Sequence, residues 1–199
     1  MSDLNVIQVW ERRMINYSIL LDNLLKGYQC SYDVERIGEK EKETSLVAKA
    51  HFHVEESQCV VFKEFSMWTA ESDEYVFIFH TKRLTLEIAK QIIEYTYSEG
   101  FPLIKLEHAS IKHQHMCTRL VALVIAEETT PEAVKILKRC KIYKNFNFSL
   151  KGWMEMHTVA VNLETGQVTG NRYSRDTVRY IKELISHLGG KSARIKMAL

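Results

Sequence analysis

The sequence has little of what marks disordered, repetitive or fibrous proteins. Its 199 residues include only 2 prolines and 8 glycines, and we find no internal repeat and no low-complexity segment. A chain of this length is long enough to bury a core as one domain. We therefore predict a single globular domain over residues 1–190, followed by a flexible basic tail over residues 191–199.

Signals for export or membrane insertion are also lacking. The first residues, Met1–Gln8, contain no basic segment followed by an apolar one, so we see no secretory signal. No apolar run approaches the ~20 residues that a membrane-spanning helix needs. The 4 cysteines are widely separated and form no C-x-x-C pair. Together these absences predict a cytoplasmic protein without membrane contact, whose cysteines are free and mostly buried thiols.

Common catalytic and nucleotide-binding signatures are absent as well. The chain has no G-x-x-x-x-G-K-[ST], no G-x-G-x-x-G, no H-E-x-x-H and no G-x-S-x-G. P-loop ATP hydrolysis, Rossmann-type dinucleotide binding, and zincin or α/β-hydrolase chemistry therefore lose their support. A formal net charge of +2 is too small to imply a nucleic-acid or anionic-membrane partner by itself. No cofactor is indicated.

The most informative stretch that is present runs from Cys117 to Cys140. Its first part, Cys117–Ala126, is the longest apolar run, is rich in β-branched residues and does not alternate with polar ones. This pattern predicts a strand covered on both faces. Next, Thr130 can cap a helix, Pro131 suits the first helical position, and Glu132 complements the helix dipole. We predict a central buried strand that turns at once into a helix.

The residues before this stretch predict a helix and a meander. Apolar residues spaced by three and four predict a first helix over residues 3–26. A short strand is predicted over residues 32–37. Alternation over residues 46–54, followed by apolar segments at 59–68 and 74–80, predicts three antiparallel strands joined by short polar connections.

The remaining elements are predicted in the same way. They are a helix from Thr85 to about Ser98, strands over residues 146–150, 153–163 and 167–172, and a last helix capped by Ser174 and ended by Gly189–Gly190. Helices interleaved with a mixed sheet predict an α+β domain, with a layered α/β domain as the alternative. The predicted domain has a mixed sheet with a three-strand antiparallel meander and a central buried strand, together with an N-terminal helix and flanking helices.

Histidines on two predicted strands suggest a metal site. His51 and His53 occupy positions i and i+2 of one strand, so both imidazoles point to the same side. His80 ends another strand and is a candidate third ligand. Such a site would support a metal-dependent hydrolase. The alternative is that these histidines belong to the polar, outward face of a half-covered sheet.

A thiol close to two imidazoles suggests a nucleophile or a soft-metal site. His113, His115 and Cys117 precede the central strand directly. However, Cys117 begins a strongly apolar run, where a small buried thiol needs no function. No glycine-rich turn that would form an oxyanion hole accompanies it.

Two further groups of polar side chains are candidates. Glu127 and Glu128 end the central strand, where paired carboxylates can hold Mg²⁺ or exchange protons; stabilising the following helix dipole explains them equally well. Trp153, Glu155 and His157 project from one face of a predicted strand and can line a polar pocket. Alternatively, they are the outward residues of an amphipathic strand.

A basic stripe on the last predicted helix suggests contact with phosphates. Arg175, Arg179 and Lys182 lie on one helix face, and Arg172 precedes them. With Tyr173 and Tyr180 interleaved, the stripe can grip nucleic acid or a nucleotide. A solvated helix face would have the same pattern.

The block Lys144–Arg175 resembles part of an uncharacterised bacterial family of hypothetical proteins, and the resemblance extends back toward His115. It implies no activity. The features that carry it are Phe146, Phe148, Gly152–Trp153 and Asn171–Arg172.

The predicted order of helix, three-strand meander, helix and strand resembles the topology of restriction-endonuclease-like nucleases. That fold's motif needs an acid ending the second meander strand and an E-x-K on the third. Glu64 lies on the second predicted strand, but Glu74-Tyr-Val76 lacks the lysine and His80-Thr-Lys82 lacks the acid. A nuclease site is therefore missing or rearranged.

Three functional hypotheses follow. The first is a cytosolic domain that binds a partner or a small ligand, alone or as a homodimer. The second is a nucleic-acid-binding or nucleic-acid-processing protein that uses the basic stripe. The third is a metal-dependent hydrolase that uses His51, His53 and His80.

Overall fold

The computed structural model describes residues 15–37, 45–52, 72–104, 117–148 and 152–196, and backbone only beyond residue 188. In chain order the elements are α1 (Tyr17–Tyr28), β1 (Tyr32–Arg36), β2 (Leu46–Phe52), β3 (Ser72–Leu84), α2 (Leu86–Gly100), a 3₁₀ turn (Phe101–Leu103), β4 (Cys117–Thr129), α3 (Pro131–Arg139), β5 (Tyr143–Asn145), β6 (Trp153–Asn162), β7 (Val168–Gly170) and α4 (Arg175–Lys196).

The strands form one mixed sheet in the order β1-β2-β3-β4-β6-β5, and β7 also pairs with β6. Strands β1, β2 and β3 are successively antiparallel, whereas β3, β4 and β6 run parallel to one another. Parallel neighbours need a crossover connection, and α2 and α3 provide these two crossovers. The prediction of an α+β domain with a mixed sheet is confirmed.

Strand β4 lies at the centre of the sheet. It pairs with β3 on one side and β6 on the other, and every residue from Leu120 to Ala126 is 0% exposed. A strand covered on both faces has no position that favours a polar residue, which explains why the sequence does not alternate there. The predicted central strand is therefore confirmed, as is the following helix, in which Ala133 N donates to Thr130 Oγ1 over 3.3 Å.

Helices cover both faces of the sheet. Leu120, Ala122 and Val124 point to the side where α2 and α3 pack, here called the α2/α3 face. Val121, Leu123 and Ile125 point to the side where α1 and α4 pack, here called the α1/α4 face. Successive side chains of a strand point to opposite faces of the sheet. Odd-numbered residues of β4 therefore belong to the α1/α4 face and even-numbered ones to the α2/α3 face.

The connections at the two ends of the parallel strands differ in length. At the carboxyl ends, single residues join strand to helix: Thr85 between β3 and α2, and Thr130 between β4 and α3. Both threonines cap their helix through the hydroxyl. At the amino ends, residues 53–71 lead into β3 and residues 105–116 lead into β4, all outside the described residues. The amino end of the sheet therefore receives the long connections.

The first helix starts later than predicted. Ile15 and Asn16 are not helical, and α1 begins at Tyr17, with Asn16 Oδ1 accepting from Ile19 N over 3.0 Å. Asparagine favours this capping position over a helix interior, because its side chain competes for backbone donors. The prediction of one continuous helix from residue 3 was wrong at this point, and residues 1–14 lie outside the described part of the chain.

The antiparallel meander is present but is built from other strands than predicted. It consists of β1, β2 and β3, and β2 pairs directly with β3. The segment at 59–68, predicted as the middle strand, falls outside the described residues. Alternation reveals a half-buried strand such as β2, but it does not reveal the strand's partner.

Two predicted boundaries near the end of the chain were also wrong. The strand predicted at 146–150 is instead β5, three residues earlier, because Asn147 (φ 49°) and Phe148 (φ 52°) adopt left-handed backbone conformations that end extended structure. Helix α4 continues through Gly189 and Gly190 to Lys196. A glycine inside a helix costs only about 1 kcal/mol, which a long helix packed against the core can tolerate.

A buried amide joins the last strands to α4. Asn171 Nδ2 donates to Met156 O over 2.7 Å and to Cys140 O over 3.1 Å. Its Oδ1 accepts from Ser174 N over 3.2 Å and from Thr158 N over 3.4 Å. All four hydrogen-bonding positions of the amide are used, so Asn171 holds three separate stretches of chain together.

The cysteines only partly follow the prediction. Cys117 and Cys140 are free and buried, as expected. Cys30 is disulfide-bonded, so the expectation of four free thiols was wrong, and Cys59 lies outside the described residues. Disulfides are uncommon in reducing compartments, so this bond weakens the argument that placed the protein in one.

Within the described residues, none of the helices is both long and apolar enough to cross a membrane.

Candidate ligand-binding site

Charged side chains from three adjacent strands face one another at the amino end of the sheet. Glu74, Arg119 and Glu155 are each the third residue of their strand, β3, β4 and β6. The strand register places Glu74 opposite Arg119, and Arg119 opposite Glu155, on the α1/α4 face. Tyr32 from β1 and His157 from β6 extend this set, and we call the five residues the polar row.

The polar row is continuous from β1 to β6. Tyr32 OH donates to Glu74 Oε1 over 3.1 Å, and Arg119 Nη1 lies 3.5 Å from Glu74 Oε2. Arg119 Nε lies 3.8 Å from Glu155 Oε1, and the same oxygen lies 2.9 Å from His157 Nε2. Arg119 is thus shared between two carboxylates and is at close hydrogen-bonding distance from neither, since charge-assisted bonds are normally about 2.7–2.9 Å.

The charged groups of the polar row are largely removed from water. The exposed fraction of the side chain is 16% for Glu74, 22% for Arg119, 20% for Glu155 and 9% for His157. Buried ion pairs add little stability, because desolvation costs about as much as the pairing returns. Apolar side chains would stabilise the sheet as well, so the polar row is a candidate for function rather than for stability.

The surroundings of the polar row keep the carboxyl group of Glu155 ionised. Burial alone would raise the pKa of Glu155, but the hydrogen bond and charge of His157, with Arg119 and Arg172, lower it overall. Burial would lower the pKa of Arg119, yet the carboxylate of Glu74 and its other neighbours raise it overall. Around neutral pH, Glu155 is therefore a carboxylate and Arg119 a guanidinium.

Aromatic rings border the polar row. Burial, followed by the charge of Glu74, raises the pKa of Tyr32 well above its usual value, so its hydroxyl stays protonated and can donate. The rings of Tyr28 and Tyr32 meet edge to face at 4.8 Å, and the rings of His157 and Tyr173 are stacked at 6.2 Å. The guanidinium of Arg172 lies 4.6 Å from the centre of the Tyr173 ring.

The chain matches the sequence family described as "Domain of unknown function (DUF8052)" over residues 16–183. The protein belongs to this family. Membership of an uncharacterised family, expected from the block 144–175, is confirmed, and the match contains the whole polar row. No curated protein and no solved structure matches the chain.

In this DUF8052 domain, the side chains of β6 follow the predicted alternation. Met154 and Met156 are fully buried, and Glu155 and His157 lie on the opposite face. The polar pocket suggested for Trp153, Glu155 and His157 thus coincides with one end of the polar row.

Three members of the polar row were missed from the sequence: Tyr32, Glu74 and Arg119. One signal was available, because Arg119 interrupts a run that is otherwise apolar and covered on both faces, and a charge there needs a buried partner. The identity of that partner depends on the strand order, which places β4 between β3 and β6.

Cys117 is not suited to be a nucleophile in the DUF8052 domain. Burial, followed by the negative charge of Glu155, raises the pKa of its thiol to about 12. The thiol is therefore protonated at neutral pH, and thiolate chemistry needs the opposite shift. His113 and His115 lie outside the described residues.

The structure places His51 and His80, two of the three candidate metal ligands, on opposite faces of the sheet. His51 lies on the α2/α3 face, where its ring stacks on Tyr75 at 4.3 Å and its Nε2 lies 3.6 Å from Asp73 Oδ1. His80 lies on the α1/α4 face, where its ring stacks on Tyr17 at 3.7 Å. His53 is outside the described residues. Among the described ones, no three His, Cys, Asp or Glu side chains are grouped to hold a metal ion.

The acidic pair at the other end of β4 is exposed. Glu128 Oε2 lies 3.9 Å from Arg83 Nε, a distance typical of a weak surface pair. Glu127 is close enough to His80 to influence its titration, although burial is the larger effect and lowers the pKa of His80 overall. Both glutamates are exposed, unlike the carboxylates of the polar row.

The basic stripe lies on the surface. Arg175, Arg179 and Lys182 are exposed on α4, and Arg172 is exposed just before it. Arg179 Nη2 bonds to Asp176 Oδ1 over 3.0 Å, so part of the positive charge is already compensated. The stripe is accessible, as phosphate contact would require.

The nuclease-like motif is not completed by the described residues. The order α1, β1–β3, α2 and β4 is the one on which that likeness rested. However, β2 contains no acidic residue, and Val76 stands two positions after Glu74 where the motif needs lysine. The described strands therefore do not form the E-x-K site.

Proposed function

We propose that this domain binds a small polar ligand at the polar row. The observation that supports the proposal most is the alignment of Glu74, Arg119 and Glu155 across three neighbouring strands, with each side chain about one-fifth exposed or less. Such groups are buried enough to act strongly through a low dielectric and open enough to be reached.

The position of the polar row supports the same proposal. The long connections of the chain enter β3 and β4 at this end of the sheet, whereas single threonines close the opposite end. The sheet provides a rigid base for the charges of the polar row.

Ligand-induced stabilisation tests this proposal. Purified protein is screened by thermal denaturation against small organic ammonium, guanidinium, carboxylate, phosphate and sugar compounds. A compound that binds only the folded protein stabilises it by about 2.7 kcal/mol at one hundred times its Kd. We expect at least one compound to raise the Tm, and we expect Arg119→Gln and Glu155→Gln each to change that increase, in the direction set by the charge of the compound.

The matched control is the exposed pair Arg83 and Glu128, which has the same chemistry outside the polar row. Arg83→Gln and Glu128→Gln should keep the full increase in Tm. If no compound stabilises the protein, or if the row variants respond like the wild type, ligand binding at the polar row is rejected.

A second proposed function is nucleic-acid binding through the basic stripe. The supporting observation is that Arg172, Arg175, Arg179 and Lys182 are all exposed. Each phosphate contact adds to the salt dependence of binding, because it releases counterions.

The test measures binding to mixed-sequence DNA and RNA at several salt concentrations, for the wild type and for the Arg175→Ala/Arg179→Ala variant. We expect the variant to bind more weakly and with a smaller salt slope. An unchanged affinity and slope would show that the stripe is a solvated helix face.

We also propose that the protein is bacterial and cytosolic and that it acts as a homodimer. Light scattering of the purified chain tests the dimer directly. Alkylation of thiols without reductant, followed by mass spectrometry, tests the compartment: a Cys30 that is reduced in freshly lysed cells agrees with the cytosol, and an oxidised one argues against it.

A further inference from the structure

The carboxylates of the polar row outnumber its permanently charged cations, since the imidazole of His157 carries a charge only when it is protonated. Two carboxylates, Glu74 and Glu155, face the single guanidinium of Arg119. A further cation near Glu155, Arg172, is exposed and lies over the ring of Tyr173. Water screens an exposed charge much more than a buried one, so Arg172 only partly offsets the excess.

The hydrogen-bonding position left open on Glu155 supports the same conclusion. Glu155 uses Oε1 for both His157 and Arg119, and its Oε2 receives no hydrogen bond from the described residues. An ionised carboxylate only accepts, so Nε2 of His157 donates to Glu155 Oε1. The open position on Glu155, Oε2, is likewise an acceptor, which favours a ligand that donates.

From these two observations we infer that the ligand of the polar row carries an organic cation, either an ammonium or a guanidinium group. Its N–H groups bind Glu155 Oε2, next to His157. This inference rests on the proposed ligand-binding function and names the chemical class that the site takes.

The aromatic border suits the same class of ligand. The ring of Tyr173 lies beside His157, and that of Tyr32 lies beside Glu74. Aromatic faces attract cations. The guanidinium of Arg172 already lies 4.6 Å from the centre of the Tyr173 ring, so the border of the polar row accommodates an organic cation.

Two other ligand classes fit less well. A metal ion would need several ligands converging on one point, yet Arg119 stands between the two carboxylates and no such group occurs among the described residues. An anion would need Arg119, which already lies between two carboxylates that repel the incoming charge. An organic cation avoids both conflicts.

Matched small probes of opposite charge provide the test. Butylammonium, butylguanidinium and butyrate have the same apolar tail, so a difference in binding reports the charged group. Binding is followed by backbone amide chemical shifts of the intact protein, including those of residues 119, 155 and 157. We expect both cations to shift these amides in a saturable way and butyrate to leave them unchanged.

Variants locate the effect. Glu155→Gln keeps the shape of the side chain but removes its charge, and we expect it to weaken the binding of both cations about tenfold or more, since a hydrogen bond to a charged group is worth about 1.5–3 kcal/mol. Glu128→Gln, at the opposite end of β4, should leave the affinity unchanged. Arg119→Met removes the competing cation and should tighten binding.

The outcomes separate the two proposals. If butyrate binds at the polar row and the cations do not, the cation inference fails while the ligand-binding function stands. If the cations bind equally well to wild type and to folded Glu155→Gln, the inference also fails. If no probe of either charge shifts the row amides, the inference is overturned, and the wider compound screen then decides the function separately.

Discussion

The two ends of the parallel strands β3, β4 and β6 differ in chemistry on the α1/α4 face. At the amino end, Glu74, Arg119 and Glu155 form a row of paired charges. At the carboxyl end, His80 stacks on Tyr17, and its buried Nε2 has no hydrogen-bond partner among the described residues, while the nearby Glu127 is exposed. The middle of each strand between these ends is apolar.

This difference follows from how the chain leaves the sheet. In open α/β sheets the ligand crevice usually lies beyond the carboxyl ends of the strands, because loops open there. Here one capping threonine joins each of β3 and β4 to its helix, so little loop is available at that end. The longer connections enter at the amino end. The proposed site therefore lies at the end of the sheet where the long connections enter.

The largest expected effect comes from the apolar middle that both ends share. Leu123 on β4 is 0% exposed and packs under α1 and α4. Leu123→Ala should lower the free energy of unfolding by about 2–5 kcal/mol, from lost burial and the cavity left behind. Urea denaturation measures it. A loss below about 1 kcal/mol would mean that the two ends are held by something other than this shared core.

A smaller effect is expected from removing the central charge at the amino end. Arg119→Met leaves Glu74 and Glu155 facing each other without a counter-charge. Breaking a buried ion pair can cost about 3–5 kcal/mol, and we expect about 1–3 kcal/mol because these side chains keep some contact with water. Urea denaturation of Arg179→Met gives the control for an exposed pair, which should change by less than about 1 kcal/mol.

Removing one hydrogen bond from the polar row should cost still less. Tyr32→Phe deletes the hydroxyl that donates to Glu74 and keeps the ring that contacts Tyr28. We expect a loss of about 1 kcal/mol in the free energy of unfolding. If Tyr32→Phe is neutral in wild type but costly in Arg119→Met, the two partners of Glu74 substitute for each other.

The smallest effect is a difference in pH dependence between the two ends. The pKa of Glu155 is lowered in the folded protein, so its stabilisation is present above the unfolded pKa and is lost as acid protonates it, below about pH 4.5. Burial lowers the pKa of His80, so the unfolded state binds protons more readily and stability falls as pH drops below about 6.5.

Unfolding free energies measured from pH 8 to pH 3 separate these contributions. Glu155→Gln should reduce the fall at the acid end, and His80→Gln should reduce the fall between about pH 7 and pH 5. A pH profile of Glu155→Gln that matches the wild type at every pH would remove the electrostatic distinction between the two ends.

Much of the fold could be read from local sequence. The run from Leu120 to Ala126 revealed a strand covered on both faces, and Thr130 with Pro131 revealed the helix that follows. These features depend on neighbouring residues alone. The pairing of β2 directly with β3 depends on residues far apart in the chain, and no local pattern specifies it.

Part of the candidate site could likewise be read from local sequence, and part of it could not. Glu155 and His157 were recognised because they share one strand and its alternation. Their link to Arg119 and Glu74 needs the register of three strands, so the complete row could not be derived from spacing. His51 and His80 show the reverse case: strand alternation put both in polar positions, but the sheet places them on opposite faces.

The amide of Asn171 has a consequence for synthesis on the ribosome. The carbonyl groups of Cys140 and Met156 belong to earlier parts of the chain. Until residue 171 leaves the exit tunnel, they lack the side-chain amide that donates to them in the folded protein. A nascent chain that stops at Gly170 would hold β6 with these groups exposed to water. Native packing around α3 and β6 is thus completed only when the beginning of α4 has been made.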